Sequence, residues 1–188
     1  MTGNRGSLHD SEKRIRKHWV GKSWVACDPG YKKIDRKPLF QVGRYSELFF
    51  LDEATAYAAG HRPCAYCQRE RFNSFKAMWA ASHRTGDAAS TLSIKEIDEH
   101  LHRERAARGG KKVVFSSPLA NLPDGTMIEV DKVAILLHRG RQLKWSFEGY
   151  TPTNPLQVSS PVTVLTPESI VQLLGQGLKP RVHATADA

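Results

Sequence analysis

The chain has 188 residues, and 28 Lys and Arg against 19 Asp and Glu give it a formal charge of +9 at pH 7. This length suits one domain or two small ones, and 40% hydrophobic with 25% charged residues exclude disordered and collagen-like chains. No apolar run approaches the roughly 18 residues of a membrane span, and no secretory signal precedes the first element, so we expect a cytoplasmic protein without a membrane partner. Three cysteines in such a chain indicate thiols that are buried, metal-bound or reactive.

The basic charge is concentrated at the start of the chain. Residues 1–50 carry 11 Lys and Arg against 5 Asp and Glu, which is +6 of the total charge. Trp19, Trp24 and Tyr31 are interleaved with two basic runs, and cations beside aromatic rings suit nucleic acid, whose phosphates bind Lys and Arg and whose unpaired bases stack on rings. A solvated basic surface with tryptophans in the core is the alternative. The candidate nucleic-acid-binding residues are Lys13, Arg14, Arg16, Lys17, Lys32, Lys33, Arg36 and Lys37.

The next segment contains a strand, a short helix and two closely spaced cysteines. Residues 45–51 are apolar and β-prone and predict a strand buried on both faces. Asp52 predicts the N-cap of a short alanine-rich helix, and Gly60 predicts its end. Cys64-x-x-Cys67 then lies in a turn that leads into an amphipathic helix of about four turns.

The two cysteines of this turn have the spacing of a zinc knuckle. One tight turn can place the thiolates of Cys64 and Cys67 at two corners of a tetrahedron, and the following helix N-terminus lowers the pKa of both thiols. A redox pair and plain packing are the alternatives. We therefore expect Zn²⁺ as the cofactor, with both cysteines as ligands.

A second group of polar residues lies on the following helix. Ser93 and Glu96 form a capping box at its start. Asp98 and His102 are one turn apart on a shared face, and with Glu104 they are candidate catalytic residues for metal binding or general-base chemistry. A surface ion pair is the alternative interpretation.

From residue 111 onward the pattern changes to short β-type runs and ends in a helix that begins near Thr166. The runs are 113–115, 126–130, 133–137, 143–147 and 162–165. We predict an α+β fold, with a small zinc-knuckle-type module over residues 1–82 and a capped helix, β-rich region and terminal helix over residues 93–188. The polar residues 82–92 predict a linker between them.

Three features follow each other along the chain: Leu48-Phe-Phe-Leu-Asp52, the short alanine-rich helix, and Gly60-His-Arg-Pro-Cys64 with Cys67-Gln-Arg69. The order and spacing of these features over approximately residues 45–69 resemble those of the zinc-binding N-terminal domain of the Ada methylation-repair protein. The resemblance implies zinc and contact with DNA, and a link to DNA repair.

The resemblance also suggests a third ligand. Ada-type sites use four cysteines, and the first of an upstream Cys-x-x-x-Cys pair accepts a methyl group from a DNA phosphotriester. Cys27 matches that first position, which makes it a candidate metal ligand, and Tyr31 stands in place of the second cysteine. A closed zinc site has four ligands, so His18, Asp28, His61 or water remain candidates for the fourth.

Three functional hypotheses follow. The first is a zinc-binding, DNA-associated protein that contacts phosphates through its basic N-terminal half. The second is a metal-assisted nuclease or other phosphodiester hydrolase that uses Asp98, His102 and Glu104, with a purely structural zinc knuckle. The third is a zinc-stabilised module for protein interaction.

Overall fold

The computed structural model describes residues 1–33, 37–83, 92–156 and 161–188. Arg36 and most of the predicted linker lie outside the described residues. By its contacts the chain divides into two compact units, and each consists of two separate stretches of sequence. The first unit comprises Met1–Phe50 and His61–His102, and the second comprises Leu51–Gly60 and Arg103–Ala188.

The described residues contain four α-helices and ten β-strands. The helices are α1 (Glu53–Ala58), α2 (Arg69–His83), α3 (Ile94–Arg105) and α4 (Glu168–Gly175). The strands are β1 (Thr2–Asn4), β2 (Val25–Cys27), β3 (Leu48–Phe49), β4 (Arg62–Pro63), β5 (Phe115–Ser117), β6 (Met127–Val130), β7 (Val133–His138), β8 (Arg141–Ser146), β9 (Gly149–Pro152) and β10 (Val162–Val164). This confirms the predicted α+β fold with a β-rich C-terminal half. None of the helices in these ranges is long and apolar enough to cross a membrane.

The first unit contains a four-stranded sheet in the order β3-β1-β2-β4. β1 pairs antiparallel with β2 and β3, whereas β2 and β4 run parallel. The prediction of a strand over residues 45–51 buried on both faces is wrong. Only Leu48–Phe49 pair with β1, at the edge of the sheet, and Phe49 is 62% exposed. The apolar run is too short and too peripheral to form a central strand.

The second unit is built on a six-stranded antiparallel sheet in the order β5-β10-β6-β7-β8-β9. Each of the five predicted β-type runs overlaps one of its strands, and β9 was not predicted. Neighbouring residues of β6 face opposite sides, because side chains alternate along a strand. Met127 packs in one hydrophobic cluster with Ala54 and Ala58 of α1, and Ile128 packs in another to which Val171 of α4 contributes. The sheet is therefore buried on both faces.

Asp52 caps α1, as the sequence predicts. Its carboxylate accepts a hydrogen bond from the Thr55 backbone N–H at 2.9 Å, and the Thr55 hydroxyl accepts one from the Asp52 N–H at 3.0 Å. The second carboxylate oxygen accepts hydrogen bonds from the Tyr150 hydroxyl at 2.9 Å and from the His183 N–H at 3.0 Å. One buried carboxylate thus joins the helix start, a strand and the C-terminal segment of the second unit.

Gly60 follows Ala59, the C-cap residue of α1, and has a backbone conformation that other residues adopt only with strain. Its φ is +77°, and a Cβ atom there would lie 2.5 Å from Cδ of Arg105. The guanidinium of Arg105, which is buried, donates a hydrogen bond to the Gly60 carbonyl. We expect Gly60→Ala to lower the free energy of unfolding by about 2–3 kcal/mol, because it combines left-handed backbone strain with a steric clash.

Gly109 provides a matched control for this substitution. Its φ is +84°, but no atom lies within 4 Å of the position of an added Cβ. Gly109→Ala should cost only the backbone strain, about 1 kcal/mol. Urea unfolding of the two variants measures the difference, and equal losses would contradict the role given to Arg105.

Candidate metal centre

Cys27 and Cys64 are brought together by the register of two parallel strands. Val25 pairs with Arg62 and Ala26 pairs with Pro63. The residues that follow these pairs, Cys27 and Cys64, therefore lie side by side. The Cys64 N–H donates to the Ala26 carbonyl at 3.0 Å and extends this pairing. Cys67, the second cysteine of the knuckle, lies three residues after Cys64 and two residues before α2 begins at Arg69.

The three sulfurs form one compact group. The Sγ atoms of Cys27, Cys64 and Cys67 all lie within 4.8 Å of one another, close enough to bind a single metal ion. Cys27 is buried at 8% exposure, and the other two are half-buried. No other cluster of three or more His, Cys, Asp or Glu ligand atoms occurs among the residues that the structure describes.

Hydrogen bonds and burial shift the pKa values of the three thiols in different directions, and of the two knuckle thiols only Cys64 has the lowered pKa expected from the sequence. The Cys27 thiol donates to Cys64, and this contact, together with backbone N–H donors at Cys67 and Tyr66, lowers the pKa of Cys64 to about 5. The same contact with Cys64, reinforced by burial, raises the pKa of Cys27. Burial raises the pKa of Cys67, although the Asp28 N–H donates to its sulfur at 3.3 Å. The backbone N–H groups of Tyr66 and Cys67 thus favour the thiolate of Cys64, whereas the raised pKa values of Cys27 and Cys67 favour their protonated thiols.

The candidate fourth ligands lie elsewhere or have other partners. The Asp28 carboxylate accepts a hydrogen bond from the Gly30 N–H at 2.9 Å. The His61 ring is fully buried, 4.7 Å from the Phe50 ring, and its Nε2 accepts a hydrogen bond from Arg5. His18 is exposed. Within the described ranges, none of these three residues joins the group of sulfurs.

The candidate catalytic residues are engaged in three different interactions. Asp98 forms a buried bidentate ion pair with Arg62, with both N···O distances 2.7 Å. The His102 ring lies edge-on to Trp19, with centroids 5.2 Å apart. The Glu104 carboxylate accepts hydrogen bonds from the backbone N–H and the hydroxyl of Ser169, near the start of α4. Each of these side chains thus has a structural partner.

The candidate nucleic-acid-binding residues are largely on the surface. Those with described side chains are all exposed: Lys13, Arg14, Arg16, Lys17, Lys32 and Lys37. Arg14 and Arg16 both pair with Asp10, at 3.2 and 2.7 Å, which neutralises part of their charge. Arg36 and the side chain of Lys33 lie outside the described residues.

The aromatic residues of the N-terminal half differ in burial and in their neighbours. Trp24 is 2% exposed and lies under the guanidinium of Arg5, 3.8 Å from its ring centroid. Tyr31 is instead 5.3 Å from Tyr66, a residue of the knuckle that is 60% exposed. The sequence analysis did not single out Tyr66. Its position between the two cysteines was nevertheless a signal of exposure, because the tip of such a turn faces solvent.

Comparison of the chain with protein-family models, with curated proteins and with solved structures found no match. The resemblance of residues 45–69 to the Ada-type domain therefore stays a prediction, and the cluster of three thiols is the structural feature that bears most directly on function.

Proposed function

We propose that this is a zinc-binding, DNA-associated protein. Cys27, Cys64 and Cys67 hold the zinc ion, and the basic N-terminal half contacts DNA phosphates. A link to DNA repair follows from the resemblance to the Ada-type domain. The observation that carries the proposal is the convergence of three thiols from two distant segments of the chain within 4.8 Å.

The thiol geometry suits zinc. With Zn–S bonds of about 2.3 Å, two sulfurs of a tetrahedral site are about 3.8 Å apart, a spacing compatible with this cluster. Thiolates are ligands that zinc prefers, and the N–H donors directed at Cys64 favour the deprotonated state that metal binding requires. A fourth ligand such as water completes the coordination. Zinc bound there would lock the knuckle to β2 and stabilise the first unit.

The charge distribution supports contact with DNA. Lys13, Lys17 and Lys32 are exposed in the segment that carries +6 of the total charge. Lysines that neutralise phosphates release condensed counterions, which makes binding favourable and dependent on salt. Asp10, by pairing with Arg14 and Arg16, reduces the contribution expected from those two arginines.

We expect the affinity for duplex DNA to fall steeply with salt, with a slope of log K against log[salt] close to −0.9 per neutralised phosphate. Replacing both Lys13 and Lys17 with glutamine should make this slope shallower by about 1–2. Fluorescence anisotropy with a labelled duplex at several salt concentrations measures both quantities, and elemental analysis of the same samples should give close to one zinc per chain.

Lys144→Gln is the matched control, because Lys144 is an exposed lysine of β8 in the C-terminal half. It should leave the slope unchanged. Binding that is absent, or that does not depend on salt, would remove the DNA part of the proposal, and protein purified without zinc that also fails to take it up would remove the metal part.

A further inference from the structure

Tyr66 presents its ring to solvent from a fixed turn. The residue is 60% exposed, although it lies between two half-buried cysteines. Three hydrogen bonds hold the turn: Cys64 N–H to the Ala26 carbonyl at 3.0 Å, Gln68 Nε2 to the same carbonyl at 2.8 Å, and Gln68 N–H to the Cys64 carbonyl at 3.0 Å. A ring on such a support loses little conformational entropy when a ligand binds to it.

Tyr31 and Lys32 lie beside this ring and form a small aromatic and cationic surface with it. We name these three residues, Tyr31, Lys32 and Tyr66, the Tyr66 patch. The two tyrosine rings are nearly perpendicular, at 72°. The Lys32 ammonium lies 5.4 Å from the Tyr31 ring centroid and 5.6 Å from that of Tyr66. The ring of Tyr66 is thus braced by a second ring, and an exposed positive charge accompanies both.

This combination matches the chemistry of a nucleotide. A nucleotide joins a planar, stackable base to a phosphate, and the Tyr66 patch joins an exposed ring to an ammonium group. We propose that the patch is a stacking site for an unpaired base of single-stranded nucleic acid. The inference rests on the proposed contact with nucleic acid and deepens it by naming the form of the ligand.

Base pairing decides which form of nucleic acid the patch can use. In a duplex each base is stacked on its neighbours, so a surface ring reaches its face only if the stack is opened. In a single strand the faces of the bases are accessible, and aromatic side chains stack on them with little sequence preference. Lys32 and the positive charge of residues 1–50 favour a polyanion over an apolar protein surface as the occupant.

The test compares Tyr66→Ala with Tyr66→Phe. The probes are a fluorescein-labelled oligothymidylate and the same strand annealed to its oligodeoxyadenylate complement, with anisotropy measured at one salt concentration. Tyr66→Ala should weaken binding of the single strand about tenfold, because stacking is lost, and should leave duplex binding unchanged. Tyr66→Phe keeps the ring and should retain single-strand affinity to within about twofold.

Phe147→Ala is the matched control, since Phe147 is an aromatic residue of the second unit that is 89% exposed. It should change neither affinity. If Tyr66→Ala weakens neither probe, or weakens both equally, the base-stacking site is refuted, whereas salt-dependent duplex binding by the unsubstituted protein would still uphold the proposed function. If the unsubstituted protein binds neither probe, both the base-stacking site and the DNA part of the proposed function fail. Zinc content and circular dichroism of each variant verify that the knuckle is intact.

Discussion

Replacing Cys27 with serine is expected to remove stoichiometric zinc. Serine is a far weaker zinc ligand than a thiolate, and structural zinc sites in small proteins contribute of order 10 kcal/mol or more through the bound metal. The substitution should therefore lower the zinc content of the purified protein well below one per chain, as measured by elemental analysis. Cobalt titration gives a second readout, since the thiolate-to-cobalt absorption should fall with the number of cysteines that bind the metal.

Tyr31→Phe is the control for this experiment. If Cys27 matches the first upstream cysteine of the Ada-type domain, Tyr31 stands in place of the second. The substitution Tyr31→Phe removes only the hydroxyl and retains the ring beside Tyr66. Zinc should be retained in this variant. Full zinc retention in Cys27→Ser would show that Cys27 is not a ligand and would also end its candidacy as a methyl acceptor. If that variant does not fold, cobalt titration of Cys67→Ser tests the proposed metal site at a half-buried cysteine.

Asp98→Ala is expected to lower the stability of the first unit strongly, for a reason that does not involve the metal. Asp98 and Arg62 are 5% and 4% exposed, and the guanidinium also donates to the Ser23 hydroxyl at 3.0 Å. Removing the carboxylate leaves a buried guanidinium without its counter-charge, which costs about 3–5 kcal/mol of unfolding free energy. Urea unfolding followed by circular dichroism measures this loss.

Two further variants separate charge from packing. In the double variant Arg62→Met with Asp98→Leu, both charges are replaced by apolar groups, and most of the lost stability should return, because no buried charge is left unpaired. Glu99 is the matched control on the same helix. Its pairing with Lys22 is exposed and loose at 3.7 Å, so Glu99→Gln should change stability by less than about 0.5 kcal/mol. A loss in Glu99→Gln as large as that in Asp98→Ala would contradict the role of burial.

Local patterns in the sequence predicted much of the fold. The Asp52 cap and the β-type runs of the C-terminal half depend on residues a few positions apart, and such signals are readable without a structure. Strand β9 was not predicted, because its sequence begins with Gly149 and ends at Pro152, and both residue types are more typical of turns than of strands. The sequence did not predict that α1 belongs to the second unit, because this depends on packing of α1 against β6, which is far away in the chain.

The candidate site was predictable only in part. The spacing of Cys64 and Cys67 indicates a ligand pair directly, whereas the position of Cys27 beside them depends on pairing between two strands of three and two residues. Strands this short carry almost no periodic signal. Asp98 shows the same limit: its spacing from His102 suggested a shared function on one helix face, but its partner Arg62 is 36 residues away and buried.

Because β2 pairs parallel with β4, the group of three cysteines should tolerate insertions in some parts of the chain and not in others. Cys27 and Cys64 are each the residue that follows a paired position, so their separation is set by strand register and not by the length of the chain between them. Insertions in the exposed stretch around Gly43 should therefore leave the thiols in place. Deletion of one residue within β2 would instead turn Cys27 to the opposite face of the sheet and dismantle the site in a single step.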